Sequence, residues 1–413
     1  MSQDSQSGVA PRPKVAFVVH RYHPDIAGGA ERHCRDVAQH MARHWDVTVL
    51  TSCAQDYRTW ANAYPAGESQ DEAVRLIRFP TSVERDYPAF DRLSVPVLAG
   101  EAGAEMEARW IEAQGPVMPS LAEYLRAERD NCDAFVFFTY LYWSTVRGIV
   151  EVGNKAWLVP TAHDEKPIRL AVYDRVFAAP RVIVYNTAAE RRFCAGRFAR
   201  RAPMEEIVGC GVDAVAVGHI DRLMGFRPPD GRPLAPGYLL YVGRVDLAKN
   251  VAELLDQYVA MVQKDASWPE LVLVGPVSMD VQKHPKIRVI GYVEEDIKHA
   301  LMQGASVLIQ PSVFESLSLV LLESWLCETP VMVNGRCEVL REQAVAAGGG
   351  LYYETAHQMR EGLTVMLSKP RLRKQMAAAG RAFTEANYSW PAIEGKYLNI
   401  WERYKGTKAG APR

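Results

Sequence analysis

Residues 15–20 (VAFVVH) form an almost continuous apolar run, the pattern of a strand covered on both faces. A turn carrying Gly28 and Gly29 follows, and residues 31–44 then place Val37, Ala38 and Met41 at helical spacing. Further apolar runs predict strands at 46–52, 74–80, 135–138, 157–160 and 181–186. Strands alternating with helices of this length imply right-handed βαβ units and a parallel sheet. Residues 83–130 break the rhythm with mixed aromatics, Ala and Gly. They read as an irregular insertion with helices at 101–114 and 119–129.

A second break comes at 226–237 (FRPPDGRPLAPG), where four prolines and two glycines interrupt any element. The strand-helix pattern then restarts. It predicts strands at 238–245, 271–275, 287–291, 306–310 and 331–334, with helices at 251–263, 294–303 and 319–327. The expected organisation is a loose tail (1–13), a first domain (14–225), a linker (226–237) and a second domain (238–388). Residues 389–413 close the chain. The fold class is α/β, with two Rossmann-like, doubly wound parallel sheets. Ligands in such sheets sit at the carboxyl ends of the strands, so two facing domains would hold theirs in a cleft.

Composition narrows the classes. The chain has 413 residues, 48% of them apolar, enough for two real cores. Lys plus Arg (48) nearly balances Asp plus Glu (49), for a formal charge of −1. That argues against a duplex-coating protein, and no nucleic-acid partner is expected. No apolar run approaches the roughly 20 residues needed to span a bilayer. The first residues are polar and lack the apolar core of a signal peptide. Seven scattered cysteines without a CxxC pair write neither a disulfide nor a zinc framework, and a reducing cytoplasm is the simplest home.

Four strand ends carry candidate chemistry. In 310–330 (QPSVFESLSLVLLESWLCETP) a loop with Glu315, Ser316, Leu317 and Ser318 leads into a helix at Leu319. Free amides at a helix start suit phosphate, and Glu323 lies within reach of sugar hydroxyls. The plainer reading makes Glu315 a cap and Glu323 part of a solvated face. In 238–250 (YLLYVGRVDLAKN), Arg244 and Lys249 follow a strand and can clamp a diphosphate, or are ordinary surface charges. Gly28 and Gly29 let backbone approach a ligand closely, or simply make a tight turn. His163, in PTAHDEKP, can contact a substrate hydroxyl or be structural.

Other patterns mislead. Residues 209–214 (GCGVDA) match the dinucleotide fingerprint, but no helix or acidic residue completes it. The chain has no Walker motif, no HExxH, no GxSxG and no DxD. Without DxD, phosphate charge would have to be neutralised without a carboxylate-held metal. Five arginines between Arg191 and Arg201 interleave with Phe193 and Phe198. They read as a solvated amphipathic helix, or as a face toward an anionic acceptor or membrane surface. Tyr140, Tyr142 and Trp143 form a sugar-stacking wall or part of the core.

Taken in order, GGAE (28–31), IVGCGVD (207–213), GRVDLAKN (243–250), the E-x7-E pair Glu315 and Glu323, ETPVMVN (328–334) and YSWPAIEGKYLNIWERY (388–404) resemble the retaining GT-B glycosyltransferases of family 4. The resemblance covers nearly the whole chain. It implies a nucleotide-diphosphate sugar donor, UDP- or GDP-linked, with no metal or other cofactor. Arg244, Lys249 and the amides of Ser316, Leu317, Ser318 and Leu319 would hold the diphosphate. Glu315 would contact the donor sugar, Glu323 the ribose, and the backbone near Val293 the base. Gly28 and Gly29 would lie beside the diphosphate and His163 beside the donor sugar, while the last helix would cross back to the first domain. The acceptor would be a glycan or lipid-linked saccharide, as in bacterial surface polysaccharide or glycoconjugate synthesis, with the enzyme cytoplasmic and touching the inner membrane face transiently. Two alternatives are a catalytically idle partner protein and a synthase of the sucrose or trehalose type. One departure stands out. Many relatives carry glycines where this chain has Ser316 and Ser318, so the loop must avoid positive φ or accept strain.

Overall fold

The computed structural model describes residues 11–26, 28–215 and 218–409, so most of the expected tail lies outside it. The chain divides into two units. The first runs to Val208 and takes up the chain again from Leu398; the second is Gly209–Tyr397.

The first unit is built on β1 (Lys14–Val19), β2 (Asp46–Ser52), β3 (Gly67–Asp71), β4 (Val74–Phe79), β5 (Ala134–Phe138), β6 (Ala156–Val159), β7 (Val182–Tyr185) and β8 (Met204–Ile207). Their order is β3-β4-β2-β1-β5-β6-β7-β8. All neighbours pair in parallel except β3, which returns antiparallel on β4. The apolar runs of β1, β5, β6 and β7 are buried on both faces, as parallel central strands must be. The polar edge strand β3 (GESQD) carries no such signature and escapes the hydrophobic pattern.

The insertion is more regular than its composition suggests. A helix at Tyr87–Leu98 opens with the Asp86 carboxylate accepting the Ala89 amide, and a proline occupies its first turn. Helices at Ala104–Gln114 and Pro119–Glu128 follow, close to their expected bounds. On the same unit, Trp401 and Tyr404 of the last helix (Trp390–Ala409) pack against Trp157, and Trp401 also packs against Trp45. The Tyr404 hydroxyl donates to the Asp133 carbonyl at 3.0 Å.

The second unit contains β9 (Leu239–Val242), β10 (Leu271–Val274), β11 (Ile287–Gly291), β12 (Val307–Gln310), β13 (Val331–Asn334) and β14 (Gly350–Tyr353), ordered β11-β10-β9-β12-β13-β14. Every pair is parallel. This is the Rossmann order, with its switch point between β9 and β12.

Two expected boundaries move. The Pro-rich stretch 226–237 is not a free linker, because buried Arg288 on β11 holds it. Its guanidinium donates to Asp230 at 2.8 Å and to the Pro233 carbonyl at 3.0 Å. Residues 209–225 also belong to the second unit: the Val212 amide donates to the Tyr388 carbonyl, and the Ile220 amide to the Gln303 side chain. Here the false fingerprint finds its explanation. A Cβ on Gly211 would come within 2.4 Å of the Trp390 indole, so that glycine serves packing. The closing segment, expected to begin at 389, rejoins the first unit only from Leu398.

Candidate active site

In the second unit the carboxyl ends of β9 and β10 press backbone against backbone. Gly243 and Gly275 have φ of +145° and +128°, and a Cβ on Gly275 would lie 2.1 Å from the Gly243 carbonyl oxygen. Arg244 follows, its side chain half exposed and its Nε 3.4 Å from Asp246. Asp246 in turn accepts the Lys249 amide at 2.8 Å, closing the turn that sets the lysine. Lys249 Nζ donates to Glu315 Oε1 at 2.7 Å. Two motifs far apart in sequence thus meet in one ion pair.

Glu315 sits on the loop between β12 and the helix Leu319–Leu326. Ser318, the residue preceding that helix, is extended at φ −98°, and neither serine adopts a positive φ. The loop therefore avoids the strain that replacing glycine would otherwise bring. The Ser318 amide is not free for phosphate here, since it donates to Gln343 Oε1 at 3.1 Å. Glu323 does not lie on a solvated face. It is buried and accepts from Lys298 Nζ at 2.9 Å, and Lys298 also reaches Glu295 at 2.7 Å. A buried carboxylate needs such a partner, yet nothing in the spacing of Lys298 and Glu323 announces it. Val293 lies just past the end of β11, next to the exposed Tyr292.

The first unit carries a second cluster. Gly28 precedes the helix Gly29–Met41, whose Glu31 turns its carboxylate back beneath it. A Cβ on Gly28 would stand 2.1 Å from that carboxylate, whereas one on Gly29 meets nothing within 4 Å. Glu31 accepts from His20 Nε2 at 2.9 Å and from Arg21. Despite its burial, His20 and Arg21 hold the Glu31 carboxyl well below the usual range. Burial pushes the His20 imidazole down, against the pull of Glu31. Tyr142 stacks on His20 with ring centres 3.7 Å apart, and Trp60 meets both rings edge-on.

The expected aromatic wall reduces to one ring. Tyr140 and Trp143 are core residues, 1% and 6% exposed, because Trp143 opens a buried helix and Tyr140 packs on Tyr173. Only Tyr142 remains partly exposed. Nearby, a cavity of about 330 Å³ is lined by Trp60, Arg85, Phe90, Leu93, Arg109 and Glu112. The Arg85 guanidinium lies 4.8 Å from the Trp60 ring centre and 4.7 Å from that of Phe90.

His163 follows β6 on a loop in which Thr161 takes φ +53°, a left-handed conformation costly for a β-branched residue. His163 Nε2 lies 3.6 Å from Glu165, whose other oxygen accepts the Tyr140 hydroxyl at 2.6 Å. Glu190 is 1% exposed, and its two carboxyl oxygens take the amides of Ala162 at 2.5 Å and Asn186 at 2.6 Å. Burial pushes Glu190 up to about 8, against the opposing effect of those amides. Sequence reasoning passed over Arg21, Glu31, Glu165, Glu190 and Lys298. Only Glu31, inside a quoted motif, and Glu190, in the capping signature Thr187-x-x-Glu190, left a local trace.

Residues 226–383 match the family model of glycosyl transferases group 1. The chain is 23% identical over 417 aligned residues to an uncharacterized glycosyltransferase of Methanocaldococcus jannaschii, covering 94% of this chain and 98% of that protein. Further curated relatives are aligned over 44% to 58% of their own length. Sucrose-phosphate synthase of Thermosynechococcus elongatus shares the fold at a TM-score of 0.70 and 18% identity, over 97% of this chain and 100% of that one. HepE of Anabaena, solved with UDP-glucose, does so at 0.66 and 13%, over 94% and 99%.

Proposed function

We propose that this chain is a glycosyltransferase that moves a sugar from a nucleotide-diphosphate donor to a glycan or lipid-linked acceptor, retaining anomeric configuration without a metal. The match of residues 226–383 to the group 1 glycosyl transferase model and the fold shared with sucrose-phosphate synthase support the reading. The observation that carries the reading is the Lys249–Glu315 pair beside Arg244, where a glycine-lined strand end meets a helix start. In the structure Lys249 is paired with Glu315. In this reading a bound diphosphate draws the lysine to itself and frees Glu315 to accept from sugar hydroxyls. Arg244 supplies a planar fork, Lys249 a point charge, and the helix start oriented amides. UDP-glucose bound to HepE makes a UDP-linked donor the first to test.

The chemistry follows from charge. The bond from the anomeric carbon to the phosphate oxygen breaks, and an oxocarbenium-like sugar develops. Two cations fixed where negative charge accumulates stabilise the departing diphosphate. The acceptor hydroxyl attacks from the same face, and its proton passes to the leaving oxygen. On the acceptor side, Tyr142 and the cavity beside Trp60 offer ring faces and polar edges suited to a saccharide. The proposed setting is surface polysaccharide or glycoconjugate synthesis in the cytoplasm, with the acceptor reached at the membrane face. Among the described residues no helix is long and apolar enough to cross a membrane.

The likeness to sucrose-phosphate synthase favours a second reading, transfer to a small sugar acceptor. One experiment tests the donor site for both. UDP, GDP, ADP and TDP are compared by thermal shift with and without Mg²⁺, on the wild type and on Arg244→Ala. One nucleotide should raise the melting temperature without metal, and the substitution should weaken that effect by at least tenfold in concentration, about 1.4 kcal/mol. A shift that requires Mg²⁺, or that survives the substitution unchanged, overturns the site. Product analysis with small sugars then separates the two acceptors.

A further inference from the structure

Glu190 takes part in none of the donor contacts considered above, yet it is almost wholly buried and both its oxygens accept hydrogen bonds. One oxygen takes the Ala162 amide at 2.5 Å and the other the Asn186 amide at 2.6 Å. These two amides belong to different strand ends, the loop after β6 and the loop after β7. Its own amide donates to Thr187 Oγ1 at 3.1 Å, so the residue also completes the start of the helix Ala188–Arg197. An ordinary capping glutamate satisfies backbone at its own helix start. This one reaches across to the neighbouring loop. There it grips the amide that directly follows Thr161, the residue at φ +53°, and directly precedes His163.

We propose that Glu190 is a positioning residue for the transfer reaction: it clamps the strained 161–163 backbone and thereby sets where the His163 ring stands. The inference rests on the reading of His163 as a donor-sugar contact. Left-handed backbone at a β-branched residue persists only where surrounding structure over-determines it, and such strain gathers at functional sites. The clamp supplies the backbone half of that constraint. Glu165, 3.6 Å from the ring and fixed by the Tyr140 hydroxyl, supplies the side-chain half. Both operate within the first unit, from elements that the sheet brings side by side.

The decisive variant is Glu190→Gln, which keeps the shape but turns an NH2 group toward one of the two amides. Three readouts separate positioning from mere stability. Hydrogen exchange at the Ala162 amide should quicken by about tenfold or more while the strand cores of β6 and β7 keep their protection. The His163 ring resonances, assigned through His163→Ala, should shift. With the nucleotide sugar identified from the thermal screen, kcat should fall about tenfold with donor KM little changed. In the His163→Ala background the same substitution should cost no further activity. Thr187→Ala is the control: it removes the helix cap but leaves the clamp, so it should lower stability without moving the His163 signal.

If Glu190→Gln does not fold, Glu190→Asp keeps the carboxyl group, shortens the reach, and should shift the same signals less. A folded Glu190 variant with unaltered Ala162 exchange and His163 resonances overturns the clamp. Wild-type turnover in His163→Ala overturns the reading of His163 instead, and leaves the exchange result to judge the clamp alone.

Discussion

Glu31 and Glu190 are both buried acids of the first unit, but their surroundings drive them in opposite directions. Glu31 faces His20 and Arg21, and those partners lower it from an ordinary 4.5. Its contribution to stability is present above that value and lost as pH falls. His20, buried and lowered from 6.5, adds to the same acid limb, because the unfolded chain takes up its proton first. Glu190 has only neutral amides, and burial raises it to about 8. Between about 4.5 and 8 the unfolded chain releases that proton while the folded one keeps it, so stability falls as pH rises through this window. Denaturant melts across pH should therefore separate the two residues. Glu31→Gln should flatten the acid limb and, by leaving Arg21 facing a neutral group, cost about 3 kcal/mol at pH 7. Glu190→Gln should flatten the slope above pH 4.5. If both variants keep the wild-type profile, neither carboxyl titrates as its surroundings dictate. At this scale the sequence announced charge but not environment. The E-x7-E pair was legible, whereas Lys298, which makes the burial of Glu323 tolerable, lies on another helix and follows no local rule.

Elements were legible where burial imposed a pattern. The strands β5, β9 and β10 are apolar throughout, and β1 is apolar after the exposed Lys14, because both faces are covered, and their runs could hardly be misread. Edge strands obey a different demand. β3 reads GESQD and β8 reads MEEI because an edge must stay wet, and so neither carries a hydrophobic signature. The helix Tyr87–Leu98 falls in the stretch that mixed aromatics, Ala and Gly mark as irregular, although its start is signalled by Asp86 and by a proline in the first turn, where the absent amide costs nothing. The last helix shows what periodicity leaves out. Trp401 packs 5.7 Å from Trp45 and 6.3 Å from Trp157, a contact spanning most of the chain length. Trp401→Ala would empty that site at a cost of about 3 to 5 kcal/mol. Melting of the first unit should fall by roughly 10 °C. Little change would mean that the closing segment is an ornament of the first unit and not part of its core.

At the scale of the whole molecule, strand alternation alone pointed to two parallel sheets, and the second proved to have the Rossmann order. The division between them was harder to see. Prolines at 226–237 announce a break in secondary structure, whereas the division depends on which residues are held. Arg288 and Trp390 settle that from far along the chain, drawing 209–237 into the second unit. That assignment bears on how donor binding should appear. The residues proposed to hold the diphosphate and the base, Arg244, Lys249, the amides at 316–319 and the backbone at Val293, all belong to the second unit. Hydrogen exchange of the full chain with UDP at about 100 times its dissociation constant should slow those amides whose opening releases nucleotide by about 100-fold. The slowed amides should cluster at 243–250, 291–293 and 315–319. The strands β1 to β8 should exchange as before, since any first-unit effect would be local to the loops at 28–31 and 161–165. Slowing confined to the first unit would remove the diphosphate from Arg244 and Lys249. The Lys249–Glu315 pair would then be a structural ion pair, and the donor site would have to be sought around His20 and Glu31.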